Sequence, residues 1–128
     1  MSAMSNYLEN EILDHILGTG AYTMPSAVYI GLSTGSFGDD NSGTELSGSG
    51  YARVAATFNA AASGTADNAS AIQFAAATGS WGSVSHFGIF DASTAGNLLI
   101  HGAFEQAKTI ASGDILKIDA GDLDISAD

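Results

Sequence analysis

The side chains of this sequence that could do chemistry are few, and their spacing decides how far each can go. Three histidines, His15, His86 and His101, come first, because imidazole moves protons near neutral pH and ligates zinc. His15 stands one helical turn after Glu11, a spacing that suits a surface pair or a partner contact. His86 and His101 fall on what read as the two arms of one hairpin, where a permissive register would make them cross-strand neighbours with Asp91 or Glu105 as a third ligand. The acids Asp114, Asp119, Asp122, Asp124 and Asp128 could gather around a hard cation. Their spacing is not that of an EF-hand loop, and Asp122 and Asp124 alternate with Leu123 and Ile125 as a solvated strand face does. Gly48-Ser49-Gly50 and Gly79-Ser80-Trp81-Gly82 resemble a nucleophile elbow only superficially, and no lysine follows a glycine loop at the spacing a phosphate cradle needs. The residues therefore predict no catalytic centre, no metal and no cofactor. Arg53 and Lys108, two of only three cations, stand among small or apolar residues; each is expected to form an ion pair, within the domain or across a subunit boundary.

The elements that must position these groups follow from hydrophobic period and turn residues. Leu8, Ile12, Leu13, Ile16 and Leu17 recur at helical spacing, which predicts an amphipathic helix over Asn6 to Leu17, opened by an Asn6/Glu9 capping box and closed by Gly18. Beyond Pro25, Val28, Ile30 and Leu32 share one face of a half-buried strand. Thr34 to Gly50, rich in Gly, Ser and Asp, reads as a long surface loop with Phe37 and Leu46 as its anchors. Strand character then returns at Tyr51 to Phe58, Ala71 to Ala76, Val84 to Asp91, Leu98 to Phe104, Lys108 to Ile110, Ile115 to Asp119 and Leu123 to Ile125, with turn residues between them. The expected fold class is mainly β: an antiparallel β-sandwich, jelly-roll or immunoglobulin-like, carrying one N-terminal α-helix. A single domain over 1–128 is expected, with 1–20 as helix or arm and 21–128 as sandwich.

Composition narrows the partners. A formal charge of −11 repels nucleic acid phosphates and anionic lipid, so neither is an expected partner. It also repels copies of the chain from one another, so self-association needs close apolar contact, salt, or a locally basic surface. Cysteine is absent, which removes disulfides and thiolate chemistry. Acidic residues near the N-terminus and the lack of a long apolar run argue against a signal peptide or a spanning segment.

One stretch carries a family likeness: Trp81-Gly82-Ser83-Val84-Ser85-His86-Phe87-Gly88-Ile89-Phe90-Asp91, then Gly96-Asn97-Leu98-Leu99-Ile100-His101-Gly102, Gly113-Asp114 and Ala120-Gly121-Asp122-Leu123-Asp124-Ile125. With Asn6-Tyr7-Leu8-Glu9-Asn10, Leu13-Asp14-His15 and Tyr51-Ala52-Arg53, it resembles small structural proteins of tailed bacteriophages, often labelled tail-fibre proteins and similar to some capsid cement proteins. The resemblance implies a non-enzymatic component of the phage particle, made in the host cytoplasm. Its leading implication is a capsid cement or decoration protein that bridges capsid subunits; the alternative is a tail, baseplate or fibre-associated protein, structural or receptor-binding. Expected partners are the major capsid protein or tail proteins, with further copies of the chain in a homo-oligomer, a trimer by analogy with proteins on local threefold axes. Leu8, Ile12, His15, Ile16, Phe37, Leu46 and Arg53 are the expected interface residues.

Overall fold

A computed structural model describes residues 2–127. In chain order the elements are β1 (Ser2–Met4), α1 (Asn6–Ile16), β2 (Val28–Ser33), β3 (Val54–Ala56), β4 (Thr65–Asp67), β5 (Ile72–Gln73), β6 (Gly82–Phe90), β7 (Leu98–Ile110), β8 (Lys117–Ile118) and β9 (Asp124–Ser126). The strands form one five-stranded sheet, ordered β1-β7-β6-β2-β3, and two ribbons, β4-β9 and β5-β8. Every pairing is antiparallel. The fold is thus mainly β with one N-terminal helix, as the patterning predicts. The second layer, packed against the five-stranded sheet, is divided into ribbons of two- and three-residue strands.

Alternation explains the layering. Ile30 and Leu32 of β2 and Val84, Phe87 and Ile89 of β6 point to the ribbons, where they meet Ile72, Phe74, Leu116, Ile118, Leu123 and Ile125 in one apolar cluster. Tyr51 packs edge-on against Trp81 at 5.7 Å and stacks with Phe74 at 6.4 Å, closing one end of this core. The Trp81 indole donates to the Ser49 carbonyl at 2.9 Å, so its polar edge is satisfied. Fully buried Asn68 ties the ribbons together: its amide donates to the carbonyls of Ser70 and Asp119, both at 2.9 Å, and its side-chain oxygen accepts from the Leu123 amide at 2.9 Å.

The opposite face of the sheet is covered by the loop spanning residues 34–50. Gly31 and Gly88 are register partners there, and a Cβ on Gly88 would come within 2.9 Å of Leu98, 3.0 Å of Phe90 and 3.2 Å of Phe37. The missing side chain on Gly88 leaves the space that Phe37 fills, with its ring 5.6 Å from that of Phe90, while the space above Gly31 is taken by Glu45, Tyr51 and Phe90. Phe37, Phe90 and Leu98 make a second small core on this side.

Helix α1 begins one residue earlier than its capping signature suggests. Ser5 is the N-cap, accepting from the Leu8 amide at 3.2 Å, while its hydroxyl donates to the Leu98 carbonyl at 2.5 Å. Asn6 is already helical, and its backbone amide donates to the Asp39 carbonyl at 2.8 Å. Cap and helix start are therefore fixed by long-range bonds to β7 and the loop, which a local four-residue pattern does not contain.

Candidate functional site

The groups that could do chemistry are dispersed and engaged. Two irregularities in the β6–β7 ladder, at Val84/His86 and Ile89/Phe90, set His86 opposite Ala103 and His101 opposite Gly88. The two histidines are therefore diagonal neighbours rather than a facing pair. Nδ1 of His86 bonds to the Ser85 hydroxyl at 2.7 Å, and Nε2 of His101 pairs with Asp39 at 2.7 Å. Asp91 caps the β6–β7 turn by accepting from the Asn97 amide at 2.7 Å, and Glu105 is exposed. His15 accepts from the Tyr22 amide at 3.1 Å through Nδ1. Asp114 accepts from the Ala111 amide at 2.9 Å, Asp119 lies 3.5 Å from Lys117, and Asp124 faces Asp67 across the β4–β9 ribbon. Asp128 lies outside the described residues. Among the described residues no three His, Asp or Glu side chains converge as a metal site would require.

Arg53 joins more of the molecule than any other polar side chain. It precedes β3, and the extended chain carries it over the face that Gly31 leaves open. Its Nε and Nη2 donate to the two Glu45 carboxylate oxygens at 2.9 and 2.7 Å, a bidentate pair. Nη1 reaches the carbonyls of Ala92 and Ala95, both at 2.8 Å, in the β6–β7 turn. The guanidinium lies 3.6 Å above the centre of the Phe90 ring. The Tyr51 hydroxyl donates to the same carboxylate and accepts from the Leu32 amide at 2.9 Å. Burial, and then the bond to Glu45, push the Tyr51 phenol well above its ordinary value. The Arg53 and Glu45 side chains are 7% and 23% exposed, so one clamp holds the long loop, β2 and the β6–β7 turn together away from most solvent.

Of the seven expected interface residues, four are taken up within the chain. Phe37 is 1% exposed in the second core, Leu46 packs against the main core, Arg53 forms the clamp and Leu8 is buried beneath α1. Ile12 is half-buried, and His15 and Ile16 face solvent.

Two surfaces are left without a partner among the described residues. The first is the outer side of α1, where Leu13, Ile16 and Leu17 are 54%, 70% and 70% exposed. Spaced i, i+3 and i+4, they form one apolar ridge turned away from Leu8. The second is an open groove of about 790 Å³ at the far end of β7. Between Ala103 and Lys108 the strand carries four residues that oppose only Ser85 on β6, so it swings off the sheet. Beneath the gap lie the buried core residues Val84, Phe87, Leu116, Ile118 and Leu123, with Phe104 half-buried beside them. Lys108 and Lys117 stand on its rim beside Glu105, Asp122 and Asp124. Sequence reasoning missed this groove, although the polar break Glu105-Gln106-Ala107 between two strand-like segments was its signal.

Residues 3–126 match the family model described as Podophage GP4 fiber I protein gp80. No curated protein matches the chain. The match covers nearly the whole sequence, so the chain belongs to this family of phage fibre structural proteins and is a component of the phage particle.

Proposed function

We propose that this member of the fibre family is a non-enzymatic structural subunit of the tail-fibre apparatus, working by surface packing. The observation that carries this reading is the match of residues 3–126 to a fibre protein model. The side-chain bonding supports it: the histidines and most of the candidate acids cap turns, pair across loops or hold strands, and among the described residues no set of them converges. Because the family description names a fibre, the tail is preferred here to the capsid cement role that the resemblance first suggests. Contact with other virion proteins runs through the outward parts of the molecule, Ile16 foremost among the expected residues, while Phe37, Leu46 and Arg53 hold the domain in shape.

The test is location and copy number on purified particles. Antibody-gold labelling against the chain should decorate the tail, with a copy number far below that of the major capsid protein. Label spread over the capsid lattice at a copy number near that of the shell protein would overturn the proposal in favour of a cement role.

A further inference from the structure

We propose that His15 is an acid-sensitive latch on the segment that joins α1 to β2: neutral, it holds that segment against the helix, and protonated, it lets the segment go. This goes beyond the location proposed above and does not depend on it. The chain from Gly18 to Ala27 has no helix or strand of its own. Its start is fastened by Asp14, whose carbonyl accepts from the amides of Thr19 and Gly20 at 2.9 and 3.1 Å and whose carboxylate accepts from the Thr19 hydroxyl at 2.9 Å. Beyond Gly20 the fastening thins to one bond. Among the described residues, the only hydrogen bond made by residues 21–26 runs from the Tyr22 amide to Nδ1 of His15 at 3.1 Å. Met24, two residues further on, is 82% exposed and adds no apolar anchor of its own.

A ring nitrogen that accepts a hydrogen bond carries no proton, so in this arrangement His15 is neutral with its hydrogen on Nε2. Protonation places a hydrogen on Nδ1 as well, and the acceptor becomes a donor pointing at a donor. The charged ring is favoured elsewhere. Glu11 stands one helical turn before His15, a spacing at which a carboxylate and an imidazolium attract, and it makes no ion pair among the described residues. His15 also lies in the last turn of α1, where the open carbonyls of the helix end favour a cation. Asp14 on the helix and Asp91 in the β6–β7 turn add negative charge, while Arg53, the cation bonded to that turn, is engaged with Glu45. Burial first, and then Tyr7, Asp91 and Glu11, raise the Tyr22 phenol above its ordinary value; burial, Glu11 and Asp91 do the same for Tyr7, so both phenols stay neutral while His15 changes charge. Because the bond to Tyr22 exists only for the neutral ring, the segment is held at the upper end of the span of about pH 5–8 in which histidines titrate, and freed at the lower end. His101 responds in the opposite sense: its Nε2 faces the Asp39 carboxylate, a contact that protonation strengthens, so acid keeps the long loop in place while the α1–β2 segment loosens.

The experiment is NMR spectroscopy on the isotope-labelled full chain, titrated from about pH 8 to about pH 5. Long-range proton–nitrogen spectra should show the His15 hydrogen on Nε2 at the upper end. As His15 takes up its proton, exchange of the Tyr22 amide with water, corrected for its intrinsic pH dependence, should speed up about three- to tenfold, the worth of one hydrogen bond. The heteronuclear NOE of residues 21–26 should fall over the same range, while the amides of β6 and β7 keep their positions and report an intact fold. His15 is exposed, so His15→Asn leaves the core untouched; it sets a carboxamide oxygen near the place of Nδ1 without the titration, and its Tyr22 amide should exchange at one corrected rate throughout. A His15 hydrogen on Nδ1 at the upper end overturns the proposal. So does a Tyr22 amide whose corrected rate stays level while His15 titrates, or a His15→Asn chain that frees the segment in acid as the wild type does.

Discussion

Replacing Arg53 by methionine keeps the aliphatic stem and removes the guanidinium from four hydrogen bonds and from the face of Phe90. Glu45 is then left with the Tyr51 hydroxyl as its one remaining side-chain donor, and the Ala92 and Ala95 carbonyls lose theirs. Removing one partner of a fully buried pair costs about 3–5 kcal/mol. The Glu45 side chain is 23% exposed, so water recovers part of its solvation and the ion-pair loss falls to roughly 2 kcal/mol. The lost cation–π contact contributes about 1 kcal/mol more. The expected destabilisation is therefore about 3 kcal/mol, a Tm lower by roughly 10 °C for a chain of this length. Urea unfolding followed by fluorescence of Trp81, the single tryptophan, measures it, with an unchanged m value as the sign that only stability has moved. The double variant Arg53→Met/Glu45→Leu should recover at least half of the loss, since no unpaired carboxylate is left behind. A single-variant cost below about 1 kcal/mol, or a double variant no better than the sum of the two singles, would refute the view that Arg53 is the fastening of this face.

Three further outcomes follow from the same geometry. Gly88→Ala should destabilise by roughly 1–3 kcal/mol in urea melts, because the new methyl meets Leu98, Phe90 and Phe37 within 3.2 Å and one of them must leave its rotamer. Ser5→Ala should cost about 1–2 kcal/mol and speed amide exchange across α1, since the cap of Leu8 and the tether to Leu98 are lost together. The third concerns alkaline pH. Tyr51 is held above its ordinary 10.0 in the folded chain, so above that pH the unfolded chain gives up the proton first and binds fewer protons. The contribution is present below pH ~10 and is lost as pH rises, with a slope of up to about 1.4 kcal/mol per unit. Denaturant melts from neutral to alkaline pH should show a shallower decline for Tyr51→Phe than for wild type, and equal slopes would remove Tyr51 as the cause.

The parts of the fold that were legible are those where one apolar period runs for several residues. Val28, Ile30 and Leu32 read as one strand face and are one. β1 and β4 carried no such signal. Ser2-Ala3-Met4 and Thr65-Ala66-Asp67 are small or polar, and each becomes a strand because β7 or β9 offers it a ladder. Register was equally out of reach: with Phe90 paired to Leu98 an unbroken ladder would already set His86 against Gly102, and the shift between Ile89 and Phe90 moves it on to Ala103. Arg53 was legible as a cation needing a partner, but the identity of Glu45 and the two turn carbonyls depends on a loop path set by Phe37 over Gly88 and by the bonds of Thr44 and Leu46 to β2.

The first strand of the main sheet also has a temporal consequence. β1 completes the edge beside β7 and touches β9, and the Ser2 hydroxyl accepts from the Ser126 amide at 3.1 Å across 124 residues of chain. Closing so long a loop is slow and comes late, because the entropy of the intervening chain must be lost before the contact gives anything back. During synthesis α1, which follows β1 directly, lacks its seat until β7 has emerged, and the seam with β9 closes only after that. The strands β8 and β9 that bound the groove arrive at the same late moment. A nascent chain therefore closes this seam and completes the groove walls together, in one final step.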